Sequence, residues 1–333
     1  MRVTNRMMSQ NVVNNIQTNM SKLDKTNDKL SKGTKISMPG DDPTGAVKTM
    51  AYKTTLNEIE KFTANTQNAK NFLSYTDVAL GQVGDVIQRI RELTVQATTE
   101  TYEQTARDSI AAEINELLGQ IVSVANSKIG DKFIFAGFNT LEKPFETKTG
   151  NDLKKESSID PSLTDVNGNK RDGINAENIV KVEYTGDDGK LLAEIDKGIV
   201  VEYNVPGARV FTNNEHNLVD SIIKLRDEIL KGNTVEDRIN SGTTVNNELG
   251  NLDKNLDILM RYRAEVGAKM NRMEAMEQRQ RDNKVSMTDL LSKTQDTDIT
   301  ETINDLKVQE SVQRMSLSVG AKVIQPTLVD FLK

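Results

Sequence analysis

The sequence predicts a mainly α-helical protein, a nested coiled-coil rod of long helices that carries a short β-hairpin and a small β-rich inserted domain. Apolar residues recur at alternating steps of three and four over long stretches, which is the pattern of long helices packed side by side. Turn pairs and short β-rich runs are confined to one internal stretch. Only 4% of the 333 residues are aromatic and Trp is absent, which disfavours a large compact enzyme core.

The first long helix is predicted to run from Asp41-Asp42-Pro43 to about Ala97. Asp is a preferred N-cap residue and Pro suits the first helical turn. At 1.5 Å per residue this helix is on the order of 85 Å long, which is longer than an ordinary globular domain is wide and indicates a rod. Its seam consists of Ile59, Phe62, Thr66, Ala69, Leu73, Thr76, Leu80, Val83, Ile87, Ile90, Thr94 and Ala97.

Three further helices follow from the same periodicity. One begins after the polar stretch Thr98 to Thr105, one covers Leu218 to Leu230, and the longest runs from Val245 to Leu291. The seam of the longest helix becomes polar towards its end, which costs stability but can fix the register. The predicted seam residues are Ile110, Ile114, Leu117, Ile121 and Val124; Leu218, Ile222, Leu225 and Ile229; and Val245, Leu249, Leu252, Leu256, Leu259, Arg263, Val266, Met270, Met273, Glu277, Gln280, Lys284, Met287 and Leu291.

The β-structure is predicted in two places. Lys132 to Leu141, after the break at Gly130-Asp131, is interpreted as a short hairpin or extended segment. From Lys143 to Asn213, Asn-Gly, Asp-Gly and Gly-Asp turn pairs separate β-rich runs, which indicates a small β domain inserted into the helical frame. The runs are Ile179 to Tyr184, Leu191 to Ile195 and Gly198 to Val205, and the polar stretch Thr149 to Asn169 is predicted to be loop.

Both ends of the chain are amphipathic helices with almost uncharged polar faces. No residue is charged between Met8 and Ser21, and only Arg314 is charged between Ser311 and Ala321. Amides and hydroxyls tolerate burial better than ions, and short amphipathic helices are marginal alone in water. We therefore expect the ends to be poorly ordered in the monomer and to fold on assembly. The candidate assembly residues are Val13, Ile16, Met20, Leu23, Leu30, Val308, Val312, Met315, Val319 and Val323.

These segments predict a nested hairpin, in which the first segment pairs with the last and the second with the second-last. Residues 1–40 and 293–333 are then the terminal assembly helices. Residues 41–142 and 216–292 form the helical rod domain with its hairpin, and residues 143–215 form the β-rich outer domain. Assembly is expected at one end of the rod, with the β domain at the other.

The sequence offers no catalytic, cofactor or metal site. Cys is absent and His216 is the only His, so His216 is interpreted as a capping or surface residue and a zinc site is not expected. Asp165 to Asn169 begins like a calcium loop but has Lys170 and Ala176 where Gly and Glu are needed. Gly40 to Gly45 lacks the Gly-Lys-Ser/Thr ending of a phosphate loop.

Charge and hydropathy exclude further classes. The formal net charge of −6 and the pI of about 5.2 argue against nucleic acid as the main partner. No apolar run approaches the roughly 20 residues needed to span a bilayer, so membrane insertion is not expected. Met1 to Met20 has no apolar h-region or cleavage site, so we expect no cleaved secretory signal.

Three blocks of residues resemble the bacterial flagellin family. Leu30 to Ala46 is similar to the N-terminal signature of flagellins, and Arg89 to Ala97 is a second flagellin-like block. Asp-Asp-Pro replaces the Asp-Asp-Ala usual in filament subunits, and Ile129 to Gly137 looks like the hairpin of the family's hook–filament junction branch. The likeness covers roughly residues 1–142 and 216–333. The residues that carry it are Gly33, Asp41, Asp42, Pro43, Gly45, Arg89, Glu92, Leu93, Phe133, Phe135 and Gly137.

The resemblance implies an extracellular flagellar protein without catalytic activity or cofactor. Such a protein is exported unfolded through the flagellar type III apparatus, with a chaperone on its C-terminal segment. It assembles with its terminal helices lining the central tube. A junction protein self-associates in a ring layer and joins the hook-side junction protein to flagellin, adapting a flexible hook to a stiff filament.

Three alternatives stay open beside the junction function. The first is the flagellin filament subunit itself, which would have the same termini. The second is an enzyme hosted in residues 143–213, which would need a cleft with perturbed carboxylates. The third is a membrane-active secreted coiled coil, which would need a strongly apolar segment.

Overall fold

The computed structural model describes residues 5–98, 104–149, 178–212, 217–230 and 235–324. Long helices with small antiparallel hairpins confirm the predicted fold class. The helices are α1 (Asn5–Lys32), α2 (Pro43–Ala97), α3 (Gln104–Ala125), α4 (Gly207–Phe211), α5 (Leu218–Leu230), α6 (Val235–Gln295) and α7 (Ile299–Ile324). The strands are β1 (Lys128–Ile129), β2 (Lys132–Phe133), β3 (Phe145–Thr149), β4 (Ile179–Tyr184), β5 (Leu192–Asp196) and β6 (Ile199–Glu202).

The chain divides into two compact units. Unit 1 combines Met1–Glu60 with Arg281–Lys333, and unit 2 is Lys61–Gln280. Unit 1 contains α1, α7 and the adjoining ends of α2 and α6. Unit 2 contains the rest of α2 and α6 together with every described strand. The three-part division made from the sequence stays a prediction.

The α2 seam lies where the sequence predicts it. Every predicted member is buried except Phe62, which is half-buried, because steps of three and four keep one face of the helix towards its neighbours. In unit 2, α6 runs antiparallel along this face. Lys70 bonds Glu277 and Arg91 bonds Asp253 across the pair.

The α6 seam is confirmed at its apolar positions and corrected at two charged ones. Arg263 and Lys284 are exposed; within unit 2, Arg263 Nε donates to Asp77 at 3.0 Å. Gln280 is buried, and its amide donates to the Ile195 carbonyl at 2.5 Å. Long charged side chains leave a seam by extending towards water, whereas an amide can stay if it finds a partner. One row of buried residues recurs every seven positions, and Asn255 and Met276 are buried beside it. The row is Val245, Leu252, Leu259, Val266, Met273 and Gln280.

The shorter helices of unit 2 follow the prediction with one change. In α5 all four predicted seam residues are buried. In α3 the predicted Ile110, Ile114 and Ile121 are buried, Leu117 and Val124 are only half-buried, and Leu118, which was not predicted, is fully buried. Helix α3 contacts both α5 and the strands β3 and β4, so its buried face is wider than the seam of a two-helix pair.

The strands form three two-stranded antiparallel hairpins. β4 has its predicted bounds, and β5 and β6 lie within a residue or three of theirs, joined through Lys197-Gly198. β3, which pairs with β4, was not predicted. The short hairpin predicted for Lys132 to Leu141 is present but begins earlier, at Lys128, because β2 turns back on β1 across Gly130-Asp131. From Ile134 onwards the predicted segment forms bends and turns.

A buried polar network joins α3, β4 and α5. Arg226 is 1% exposed, and its guanidinium donates to Asn115 Oδ1 and to the Ile179 carbonyl, both at 2.7 Å. Its other nitrogens bond the Asp227 carboxylate, which keeps the buried charge paired. The sequence reasoning missed this residue, because a single Arg in an amphipathic helix usually lies on the solvated face.

Replacing Ile87 by Asp is expected to lower the free energy of unfolding by about 3–5 kcal/mol, because the carboxylate would be unpaired in the core. Ile87 is fully buried. Urea denaturation followed by circular dichroism measures the loss. Gln88→Asp, on the exposed neighbour, is the matched control and should change stability by less than about 0.5 kcal/mol. Equal denaturation midpoints for the two variants would show that Ile87 is not a seam residue.

Candidate assembly surface

The first and last described helices pack antiparallel in unit 1. The Asn19 amide of α1 donates to Ser316 Oγ of α7 at 2.8 Å, and Gly320 lies against Val12 and Ile16. Near the other end of the pair, the Thr297 amide donates to the Gly33 carbonyl at 3.0 Å. The predicted pairing of the first segment with the last is therefore confirmed.

The seam between these two helices is unusually polar on the α7 side. Only Leu306 among the six inward-facing residues of α7 is a large apolar residue. The side-chain oxygens of Gln309 and Gln313 are buried without a hydrogen-bond partner, which costs roughly 1–3 kcal/mol for each such group. The inward-facing residues are Ser9, Val12, Ile16, Asn19, Leu23, Thr26 and Leu30 on α1, and Thr302, Leu306, Gln309, Gln313, Ser316 and Gly320 on α7.

The predicted apolar row of α7 points away from α1. Val308 and Met315 are 61% and 63% exposed, and Val312 and Val319 are also exposed. The predicted row on α1 is divided: Ile16, Leu23 and Leu30 lie in the seam, whereas Val13 and Met20 are exposed. The side chain of Val323 lies outside the described residues. Their role in assembly stays a prediction.

The exposed apolar side chains lie on two opposite flanks of the pair. With the seam at heptad positions a and d, an antiparallel pair places e residues beside e residues and g residues beside g residues. The e flank and the g flank therefore face in opposite directions. We define the e flank as Val13, Met20, Ile303 and Leu317, and the g flank, with its adjacent c positions, as Met8, Val308, Val312, Met315 and Val319.

The sequence reasoning missed part of this surface. Met8, Ile303 and Leu317 were not among the candidate assembly residues, although all three are exposed apolar residues. The signal was available, since a helix with two apolar stripes has apolar residues at more than two heptad positions. The second apolar stripe is harder to recognise, because the first stripe alone already gives a complete helical repeat.

The signature residues from Gly33 to Gly45 build the turn between α1 and α2. Gly33 adopts φ 67°, which only Gly adopts without strain and which ends α1. The Asp42 carboxylate accepts from the Thr44 amide at 3.0 Å, and Pro43 is the first residue of α2, as predicted. A side chain at Gly45 would collide with Ile36.

Asp41 holds the same turn from the other side. Its carboxylate accepts from the amides of Met38 at 3.0 Å and Ser37 at 3.2 Å. These backbone bonds lower the pKa of Asp41 below its ordinary value, since they favour the charged form. Both carboxylates of the acid pair therefore bond backbone amides of the turn.

The second signature block lies in unit 2 at the contact of α2 with α3. The Arg89 guanidinium donates to Glu113 at 2.8 and 3.1 Å and to Glu92 at 3.3 Å. These carboxylates raise the pKa of Arg89. Leu93 is buried in the core. Arg89 pairs with the neighbouring helix, Glu92 bonds Arg89 within α2 and Leu93 packs in the core, so these three signature residues stabilise unit 2.

The third block, with Phe133, Phe135 and Gly137, enters an aromatic cluster. Phe133 and Phe135 are buried, and the Phe135 ring meets Phe211 edge-on at 5.3 Å between centroids. Gly137 adopts φ 71°, and a side chain there would collide with Asp187. Sequence reasoning missed the partners Phe145, Tyr184 and Phe211, which come from the β-rich insert.

Tyr184 closes this cluster. Its hydroxyl donates towards the carbonyls of Phe135 at 3.0 Å and Asp187 at 2.8 Å. Burial raises the pKa of Tyr184 to about 12, so the phenol stays protonated and keeps these bonds at neutral pH. The insert is thereby packed onto the hairpin within unit 2.

The described residues contain no group of three or more His, Asp or Glu able to hold a metal ion. In the same part of the chain no helix is both long enough and apolar enough to cross a bilayer. His216 and the segment Asp165 to Asn169 lie outside the described residues.

Comparison with known proteins supports a flagellar identity. Residues 3–140 match the bacterial flagellin N-terminal helical region. Flagellar hook-associated protein 3 of Escherichia coli K12 is 24% identical over 318 residues, which covers 95% of each chain. The flagellin of the same organism is 28% identical over 167 residues, which is 50% of this chain and 32% of that flagellin. The crystal structure of the flagellar junction protein FlgL from Legionella pneumophila matches 76% of this chain and all of its own with a TM-score of 0.56 at 16% identity, which shows the fold.

Residues 3–140 of the chain therefore match the flagellin N-terminal helical region, as the signature blocks predict. The similarity to flagellar hook-associated protein 3 extends over nearly the whole chain, whereas the similarity to the Escherichia coli flagellin covers half. It is thus most like the hook–filament junction proteins.

The amide hydrogens of α1 and α7 are expected to exchange rapidly in the dilute monomer, because their shared seam is polar and leaves two glutamine oxygens without partners. Hydrogen exchange followed by mass spectrometry measures this. Residues 73–90 of α2, which lie in the core of unit 2, serve as the internal slow-exchanging reference. Protection of α1 equal to that reference would show that the pair is stable alone.

A matched variant tests the cause. Gln309→Leu/Gln313→Leu should slow exchange in α1 and α7 by roughly fivefold or more, because it removes two unsatisfied buried groups worth ~1 kcal/mol each. Arg314→Leu, at the exposed position directly after Gln313 in α7, is the control and should leave the exchange rates unchanged. If both variants slowed exchange equally, the slowing would come from the helix propensity of Leu and not from the removal of the unsatisfied glutamine oxygens.

Proposed function

We propose that this chain is a structural component of the bacterial flagellum, the hook–filament junction protein that joins the hook-side junction layer to the flagellin filament. The observation that carries this proposal is the similarity to flagellar hook-associated protein 3 along 95% of both chains. A filament subunit, the alternative, is less well supported, because the flagellin similarity is partial.

The two flanks of the α1–α7 pair support self-association. A surface patch that pairs with itself gives a twofold dimer, whereas two different patches on opposite sides give head-to-tail contacts that close into a ring or continue as a helix. The e flank and the g flank differ in residues and face in opposite directions. Each copy therefore offers one flank to each neighbour, which fits a ring layer.

The remaining partners follow from the position of such a layer. The hook-side junction protein binds on one side and flagellin on the other, and both are approached through the terminal helices. The exposed g flank of α7 is also the surface we assign to an export chaperone, because an apolar stripe on a helix suits a helix-in-groove contact. The chain then travels unfolded through the type III apparatus to the extracellular flagellum.

Catalysis is no part of this proposal. The signature acids Asp41 and Asp42 bond backbone amides, and Arg89 pairs with carboxylates of its own unit. We therefore infer that the protein acts through packing alone, without cofactor, metal or nucleic acid, and adapts a flexible hook to a stiff filament.

Deletion of the gene is expected to leave bare hooks and to release monomeric flagellin into the medium, because flagellin would lack the layer on which it assembles. Electron microscopy and immunoblotting of the culture medium measure both effects. Bare hooks without flagellin production would identify the chain as the filament subunit. Intact filaments would contradict both functions.

Val312→Asp is expected to abolish filament growth when the variant replaces the natural chain, because a charge on the g flank would be buried against the neighbouring copy. Ser318→Asp adds the same charge at an exposed position of α7 away from both flanks and should support normal filaments. Electron microscopy counts filaments per cell. Normal filaments with Val312→Asp would show that the g flank is not an assembly contact.

A further inference from the structure

Three methionines lie exposed on the two flanks. Met20 is 64% exposed on the e flank, and Met315 at 63% and the less exposed Met8 lie on the g flank. The chain has 12 Met and no Cys, so thioethers are its only sulfur groups. On α7, Met315 lies between Val312 and Val319, one turn away on either side, so its sulfur sits within an otherwise purely aliphatic stripe.

We propose that Met8, Met20 and Met315 are oxidation-sensitive residues, one on the e flank and two on the g flank, through which peroxides control the assembly of this chain. The proposal rests on the proposed function, since it requires the flanks to be buried between neighbouring subunits. In the reaction, a sulfur lone pair attacks one oxygen of hydrogen peroxide and the O–O bond breaks. The thioether loses two electrons and becomes a sulfoxide, and the remaining hydroxide takes up a proton and leaves as water.

The sulfoxide changes the chemistry of the flank. It converts a flexible apolar side chain into a polar one that carries a strong hydrogen-bond acceptor. The other side chains of the flanks are Val, Leu and Ile, which have no donors. Burying the sulfoxide oxygen among them leaves it without a partner, and such a loss weakens a contact by roughly tenfold or more for each group.

The chain contains its own references for this chemistry. Met273 is fully buried and Met276 nearly so, so peroxide should reach their sulfurs much more slowly. Met38, Met50 and Met260 are 66%, 60% and 45% exposed but lie on neither flank. They should therefore be oxidised as readily as the flank residues, without effect on assembly.

The test uses the full-length chain and hooks isolated from cells that lack its gene. The chain is treated with hydrogen peroxide, freed of peroxide and mixed with the hooks, and the amount that sediments with them is measured. Peptide mass spectrometry reports the oxygen added at each Met. Three variants are compared with the natural chain: Met8→Leu/Met20→Leu/Met315→Leu, the matched control Met38→Leu/Met50→Leu/Met260→Leu, and the untreated sulfoxide mimic Met20→Gln/Met315→Gln.

Peroxide should reduce hook binding of the natural chain and of the matched control by roughly tenfold or more, and should leave binding of the flank variant unchanged. The untreated sulfoxide mimic should bind as poorly as the oxidised natural chain. Undiminished binding of the oxidised natural chain, or an equal loss in the flank variant, would overturn the site. A natural chain that fails to bind hooks before treatment would overturn the proposed function itself, and with it the site.

Discussion

A helix with a seven-residue repeat can carry several stripes of side chains. The structure of unit 1 depends on which stripe of α7 faces α1 and which stays exposed. The stripe turned towards α1 is mostly polar or small, with Gln309, Gln313, Ser316 and Gly320. The apolar stripe of Val308, Val312, Met315 and Val319 is left exposed. Because burial of apolar surface is the larger stabilising effect, α7 gains little stabilisation from its contact with α1.

The same repeat is used differently in unit 2. There α2 and α6 turn their large aliphatic residues towards each other and towards α3, and Leu80, Ile87 and Ile90 are fully buried. Each such side chain contributes about 1.5–3 kcal/mol. Unit 2 therefore holds its own core, and the aromatic cluster around Phe135 adds the β-rich insert to it. One chain thus combines a unit with a large buried apolar core and a unit whose apolar side chains stay largely exposed.

The periodicity of the sequence predicted the long helices closely, since a seam such as Ile59 to Ala97 gives both the helix and its buried face. Capping chemistry placed the start of α2 at Pro43. The pattern could not show which of two stripes on α7 faces α1, because Gly320 and Ser316 favour close approach while the valines favour burial, and only the three-dimensional pairing decides between them. The sequence did not predict β3, because Phe145 to Thr149 has charged residues at alternate positions. Its partner strand β4 also lies far away in the sequence.

The signature residues and the flank residues serve separate ends. Gly33, Asp41, Asp42, Pro43 and Gly45 fix one turn through backbone geometry, and Arg89, Leu93, Phe133 and Phe135 bind elements of the same unit together. None of these signature residues presents a large apolar side chain to solvent. Proteins that share the turn and the core can therefore share a fold while their flanks differ, and we propose that the flank residues determine the choice of neighbour. On this proposal, a junction subunit differs from a filament subunit through the stripes that its terminal helices leave exposed.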